Sequence, residues 1–260
     1  MSINHTLRVS TLQLDVKWED VSGNLSEIKR RVIASSGELV VLPEMCLTGF
    51  SMSPERIAVT MQSSVVAQMI ALAIESGKAL IFSAAVEQDS MYYNRLFFIT
   101  PEGEITSYDK RHLFAMAGEN NHYTAGTERV IIEYRGFRIC PLVCYDLRFG
   151  VYSRNVDNEY DALIYIASWP DVRSYAWSTL LRARAIENLA YTIGVNRVGT
   201  DPKNAYSGDS VILDYMGQPL AEAEPYQVCE AVAELSLVKL REFRAGFAAY
   251  LDADSFSLHL

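Results

Sequence analysis

Short apolar runs of strand length alternate along this chain with stretches of helical periodicity, and three of the runs end at or near a chemically reactive side chain. Such alternation restricts the chain to an α/β architecture, because strands must find neighbours and amphipathic helices must cover a sheet face. Strands are expected over residues 7–16, 38–42, 78–86, 92–99, 130–134, 137–143, 162–167, 191–198, 210–213 and 228–233. Helices are expected from a cap at Asn24 to about Ser36, over 62–76, briefly over 148–157, over 173–190 and over 237–244. The 173–190 stretch is the strongest, with Trp177, Leu180, Leu181, Ala185 and Leu189 on one stripe and Arg182 and Glu187 as polar exceptions. Turns at Pro101-Glu102-Gly103-Glu104 and Arg135-Gly136 mark hairpins, so mixed sheets are expected rather than purely parallel ones.

A chain of 260 residues, 50% hydrophobic, can bury a large core and is short enough to be a single domain spanning 1–260. There are 32 acidic residues against 23 Lys and Arg, for a net charge of -9, and no long basic run, which argues against a nucleic-acid partner. The cysteines at 46, 140, 144 and 229 form neither a zinc motif nor a disulfide framework. No basic-then-apolar leader begins the sequence and no run reaches the length of a membrane span. A reducing cytoplasm is therefore the expected compartment, with no membrane contact.

The reactive side chains are Glu44 after Val40-Val41-Leu42-Pro43, Lys110 within Tyr108-Asp109-Lys110-Arg111-His112-Leu113-Phe114, and Cys144 after Ile139-Cys140-Pro141-Leu142-Val143. Singly, each has an ordinary reading: a cap or surface ion pair, a solvated lysine, a core thiol. Together, at strand ends that an α/β sheet gathers on one rim, they match nucleophilic acyl chemistry. A thiolate attacks a carbonyl, a carboxylate moves the protons, and an ammonium with the Tyr145 amide N–H receives the oxyanion. Cys140 is the rival nucleophile, four residues earlier and deeper in the apolar run, and Cys46 a weaker one. No Gly-x-Ser-x-Gly, Gly-x-Gly-x-x-Gly or phosphate-loop run appears.

These three segments, with Cys144-Tyr145-Asp146-Leu147-Arg148-Phe149 and Asn196-Arg197-Val198-Gly199, resemble the nitrilase or carbon–nitrogen hydrolase superfamily over nearly the whole chain. The resemblance implies a four-layer α-β-β-α sandwich of two mixed sheets with outer helices and pairing of two subunits through outer helices, and nothing in the sequence requires a metal or cofactor. It implies Glu44 as base, Lys110 as oxyanion cation, Cys144 as nucleophile and Glu119 as a second, positioning glutamate. The Lys110–Phe114 and Glu119–Tyr123 stretches are most similar to bacterial-type omega-amidases, which hydrolyse the distal amide of 2-oxoglutaramate or 2-oxosuccinamate to the 2-oxo diacid and ammonia. Other branches share the motifs: aliphatic amidases, N-carbamoyl amide hydrolases and deaminated-glutathione amidases. A non-catalytic binding or assembly protein on the same fold is the reading of a different class. A keto-acid substrate needs a cation for its carboxylate, with Arg173, Arg148 and Arg111 as candidates. Phe114, Met116, Tyr145 and Trp169 are candidate walls, His112 a supporting residue, and tyrosines at 152, 175 and 191 interface or core residues.

Overall fold

The structure, a computed structural model, describes residues 5–257; the ends of the expected 1–260 domain lie outside the described residues. The first half of the chain runs β1 (Thr6–Gln13), α1 (Val21–Ala34), β2 (Leu39–Val41), α2 (Pro54–Ile57), α3 (Ser64–Ser76), β3 (Ala79–Gln88), β4 (Met91–Ile99) and β5 (Ile105–Asp109). The second runs β6 (Ile132–Tyr134), β7 (Phe137–Val143), β8 (Ala162–Ala167), α4 (Ser174–Asn188), β9 (Tyr191–Asn196), β10 (Val198–Thr200), β11 (Ala205–Ser207), β12 (Val211–Leu213), β13 (Pro219–Glu222), β14 (Cys229–Ser236) and α5 (Leu237–Gly246).

Two six-stranded sheets result, ordered β14-β1-β2-β3-β4-β5 and β13-β12-β9-β8-β7-β6, with β10 and β11 forming a separate ribbon. Each sheet has a parallel centre, β1-β2-β3 in one and β7-β8-β9 in the other. Antiparallel strands flank both centres. The sheets are therefore mixed, as the hairpin turns require. The Arg135-Gly136 turn between β6 and β7 has positive φ at both residues, the backbone a tight hairpin needs.

Side-chain alternation sorts the layers. In the first sheet Leu7, Val9, Leu39, Val41, Ile81 and Phe98 join a core shared with the second sheet. Their neighbours Val40, Leu80, Phe82 and Phe97 point the other way, against Leu25, Ile28 and Val32 of α1 and Val66, Met69 and Leu72 of α3. On the second sheet α4 lies directly on β9: a Cβ on Gly194 would fall 2.3 Å from Leu181 and 2.9 Å from Trp177. The fold is an α/β four-layer sandwich, with helices outside two mixed sheets.

Two local expectations are corrected. Asp20, not Asn24, caps α1 by accepting from the Gly23 N–H at 3.0 Å. Asn24 is buried inside the helix, where its amide serves the backbone of Lys17 and Leu47. No α-helix forms over 148–157. Only the ends of that stretch touch 3-10 turns, Cys144–Arg148 and Val156–Asn158. Tyr152 and Tyr191 are buried in this chain's own core, whereas Tyr175 is 82% exposed.

Candidate active site

Strand ends deliver the reactive groups, as the sequence pattern requires. Pro43 has no N–H to extend the β2 ladder, and Glu44 follows it into the interior. Lys110 follows the last residue of β5, its own N–H donating to the Asn94 carbonyl at 3.0 Å. Cys144 follows β7 with φ of 45°, a left-handed conformation that is strained for a residue with a side chain. Asp146, fully buried, holds that turn. It accepts from the Val143 N–H at 3.0 Å, the Tyr108 hydroxyl at 2.7 Å and the His112 N–H at 2.9 Å. The His112 ring, stacked on Phe149, contacts the same carboxylate through Nδ1 at 2.7 Å. His112 is thus a supporting residue, and the pair ties the cysteine turn to the lysine segment. Arg184 of α4 fixes the turn's far side by donating to the Leu147 carbonyl from Nε and Nη2, at 3.2 and 2.8 Å.

Glu44, Lys110 and Glu119 form one buried charge cluster. Lys110 Nζ lies 3.0 Å from Glu44 Oε1 and 3.0 and 2.9 Å from the two Glu119 oxygens. The ammonium also sits 4.9 Å from the Phe50 ring centre. Burial would push Lys110 towards neutrality, but Glu119 and Glu44 outweigh it and hold its pKa above the ordinary lysine value. Burial raises Glu119, opposed by Lys110 and reinforced by Glu44. Glu119 Oε2 also accepts the Phe114 N–H at 2.6 Å. Asn94 Nδ2 donates to Glu44 Oε1 at 2.7 Å and more weakly to Glu119 Oε1 at 3.4 Å. The remaining Glu44 oxygen, Oε2, accepts the Ser168 N–H at 2.8 Å.

Burial and the Glu44 charge hold the Cys144 thiol well above its ordinary pKa, against the pull of Lys110 and the Ser168 N–H. Burial thus favours the neutral form of the Cys144 thiol. Cys140 is completely buried inside β7 and pushed up to about 12 by burial, and Cys46 is buried and raised further. Neither lines the cavity over Cys144.

That cavity is a small pocket open to solvent, about 330 Å³ of space between atoms when its open mouth is included. Lys110, Cys144 and Ser168 meet it below, and Phe50, Phe114, Tyr145, Trp169 and Pro170 wall it. Arg148 and Arg173 complete the lining. Arg148 lies 4.9 Å from the Trp169 ring centre and Arg173 5.5 Å from that of Phe114. Among the described residues neither guanidinium has a carboxylate partner. The Tyr145 N–H belongs to the first turn of the Cys144–Arg148 segment, where no preceding helical carbonyl can take it.

Two candidates are not brought in. Met116, on the 3-10 turn Ala115–Ala117, is 87% exposed and outside the cavity lining. The 115–117 backbone turns it outward while Phe114 and Glu119 turn in. Arg111 donates to the Gly126 carbonyl at 3.2 Å and does not line the cavity. Four contributors were missed: Asn94, the Ser168 amide, Phe50 and Asp146. Of these only Asp146 carried a signal, its place two residues after Cys144. No group of three or more His, Cys, Asp or Glu able to hold a metal occurs among the described residues. No helix there is long and apolar enough to cross a membrane.

Residues 8–245 match the carbon–nitrogen hydrolase family. The chain belongs to that family. It is 45% identical over 254 residues to Omega-amidase YafV of Escherichia coli, covering 97% of this chain and 98% of the relative. It is 32% identical over 220 residues to 2-oxoglutaramate amidase of Bacillus subtilis, covering 82% and 85% of the two chains. XC1258 of Xanthomonas campestris, a CN-hydrolase superfamily protein whose crystal structure has an arsenic adduct in the active site, superposes with a TM-score of 0.95. It is 41% identical, with 98% of this chain and 100% of that one covered. This carbon–nitrogen hydrolase is accordingly an enzyme of the cysteine-dependent amidase kind, with omega-amidase-like family activity.

Proposed function

We propose that this enzyme hydrolyses the distal amide of 2-oxo dicarboxylic acid monoamides, 2-oxoglutaramate and 2-oxosuccinamate, to the 2-oxo diacid and ammonia. The observation that carries this reading is the pairing of two guanidiniums, Arg148 and Arg173, without carboxylate partners with an acyl-transfer cluster in one small cavity. A substrate carboxylate supplies the missing partner, and its amide then faces Cys144. The likeness to omega-amidase and 2-oxoglutaramate amidase relatives supports the same substrate class.

In the proposed reaction Cys144 Sγ attacks the amide carbon as its proton passes to Glu44. The tetrahedral oxyanion is received by Lys110 Nζ and the Tyr145 N–H. Collapse expels the nitrogen as ammonia, which takes the proton from Glu44 and leaves a thioester on Cys144. Water then attacks the thioester, giving one proton to Glu44. The second collapse releases the acid, and the departing thiolate recovers that proton. Glu119 holds Lys110 in place throughout. The same reading makes the enzyme cytoplasmic, in keeping with its four free cysteines, and a homodimer, which light scattering at twice 29.2 kDa tests.

An ammonia-release panel tests the substrate. The reading requires kcat/KM for 2-oxoglutaramate or 2-oxosuccinamate, corrected for the open-chain form, to exceed that for deaminated glutathione, N-carbamoyl amino acids and neutral aliphatic amides. Preference for any of the latter overturns it.

A further inference from the structure

Five asparagines are buried: Asn24, Asn94, Asn155, Asn188 and Asn196. Four bond backbone from both ends of the amide, the way an asparagine holds a fold together. Asn196 Oδ1 accepts the N–H groups of Trp169 and Arg197, and its Nδ2 donates to the carbonyls of Trp169 and Gly208. Asn155 binds the Tyr160 N–H and the carbonyls of Tyr160 and Asn188. Asn24 and Asn188 do the same. Asn94, in the middle of β4, differs. Among the described residues its side chain bonds no backbone group, its Oδ1 meets no protein donor, and its Nδ2 faces Glu44 and Glu119. A buried carbonyl without a donor is unfavourable, so this amide is poorly explained as a fold-stabilising group.

We infer that Asn94 is a positioning residue that makes the two oxygens of Glu44 unequal, leaving Oε2 to take and return the proton. Glu44 Oε1 already accepts from Asn94 and Lys110, whereas Oε2 accepts only the Ser168 N–H. The Ser168 N–H that Oε2 accepts belongs to a residue that lines the cavity together with Cys144, whereas Asn94 on the Oε1 side does not line it. Anchoring Oε1 fixes the carboxylate plane and denies the proton a competing site. The inference rests on the role given above to Glu44 as base. The groups facing that carboxylate are Lys110, Glu119 and Cys144, with the phenols of Tyr123 and Tyr206 farther off.

The test is Asn94→Leu, with Asn94→Ser beside it should the larger side chain not fold, since the shorter hydroxyl cannot span both carboxylates. Asn94 lies outside the cavity lining, so kcat should fall about ten- to a hundredfold with KM changed less than about threefold. Removing a donor from a carboxylate favours its protonated form, so the acidic limb of the pH–rate profile moves to higher pH. Iodoacetamide alkylation of Cys144 should show the same displacement without any substrate. Asn155→Ser, which breaks a backbone-binding amide, should lower the melting temperature more than Asn94→Ser does. A folded Asn94 variant with wild-type kcat and an unmoved acidic limb overturns the inference. So does a loss confined to KM or to thermal stability. Because alkylation displaces iodide and breaks no amide bond, an enzyme that ignores 2-oxoglutaramate yet shows the displaced limb would sink the substrate reading and leave the positioning intact.

Discussion

The floor and the mouth of the cavity solve opposite electrostatic problems. At the floor every charge is paired: Lys110 is 1% exposed and held by two carboxylates, which are in turn held by Asn94, the Phe114 N–H and the Ser168 N–H. Burying such a group without partners would be strongly unfavourable, so its completeness is a condition of its existing at all. At the mouth Arg148 and Arg173 rest on aromatic faces and stay partly exposed, with no counter-charge among the described residues. Floor geometry is fixed before substrate arrives, whereas mouth charge waits for it. The floor should therefore govern kcat and the mouth KM.

The largest effects should come from the floor. Glu44→Gln and Lys110→Met remove the proposed proton carrier and the proposed oxyanion cation, and each should lower kcat by about a thousandfold in steady-state ammonia release. Loss below about tenfold in either would mean that the buried cluster is structural. Next come the guanidiniums. Arg173→Met or Arg148→Met should raise KM for a carboxylate-bearing amide by about ten- to a hundredfold, corresponding to about 1.5–3 kcal/mol for a charge-assisted bond. Hydrolysis of a neutral amide should change little in the same variants. A kcat loss equal for both substrates would erase the division between floor and mouth. The smallest effect belongs to Met116→Ala, which should leave kcat/KM within about twofold because that side chain is in solvent.

How much of this is written locally follows the same division. Glu44, Lys110 and Cys144 announce themselves as reactive residues that interrupt apolar strands, and a strand end fixes where each side chain can go. Asn94 does not, because it sits inside a strand and its carboxylate partners are 50 and 25 residues away. Ser168 acts through its backbone, which no residue type reveals. The mouth was half legible: Phe114, Trp169, Arg148 and Arg173 lie where expected, but the reversal of the chain over 115–117 put Met116 outside. In the fold, apolar alternation located the central strands, while the short ribbon β10–β11 and the edge strand β13 have too few buried positions to leave a pattern. The polar stretch after Cys144 suggested a helix, yet Asp146 is tied to Tyr108 and His112, 38 and 34 residues away, long-range contacts that override local preference.

The proposed reaction requires Cys144 to carry the acyl group. Acid-quenching the enzyme during turnover of 2-oxoglutaramate and mapping its peptides by mass spectrometry measures this directly. The prediction is an acyl adduct of amide minus ammonia on the Cys144 peptide, present during turnover and gone when substrate is exhausted. An adduct on Cys140, or ammonia release without any thioester and undiminished in Cys144→Ala, would contradict it.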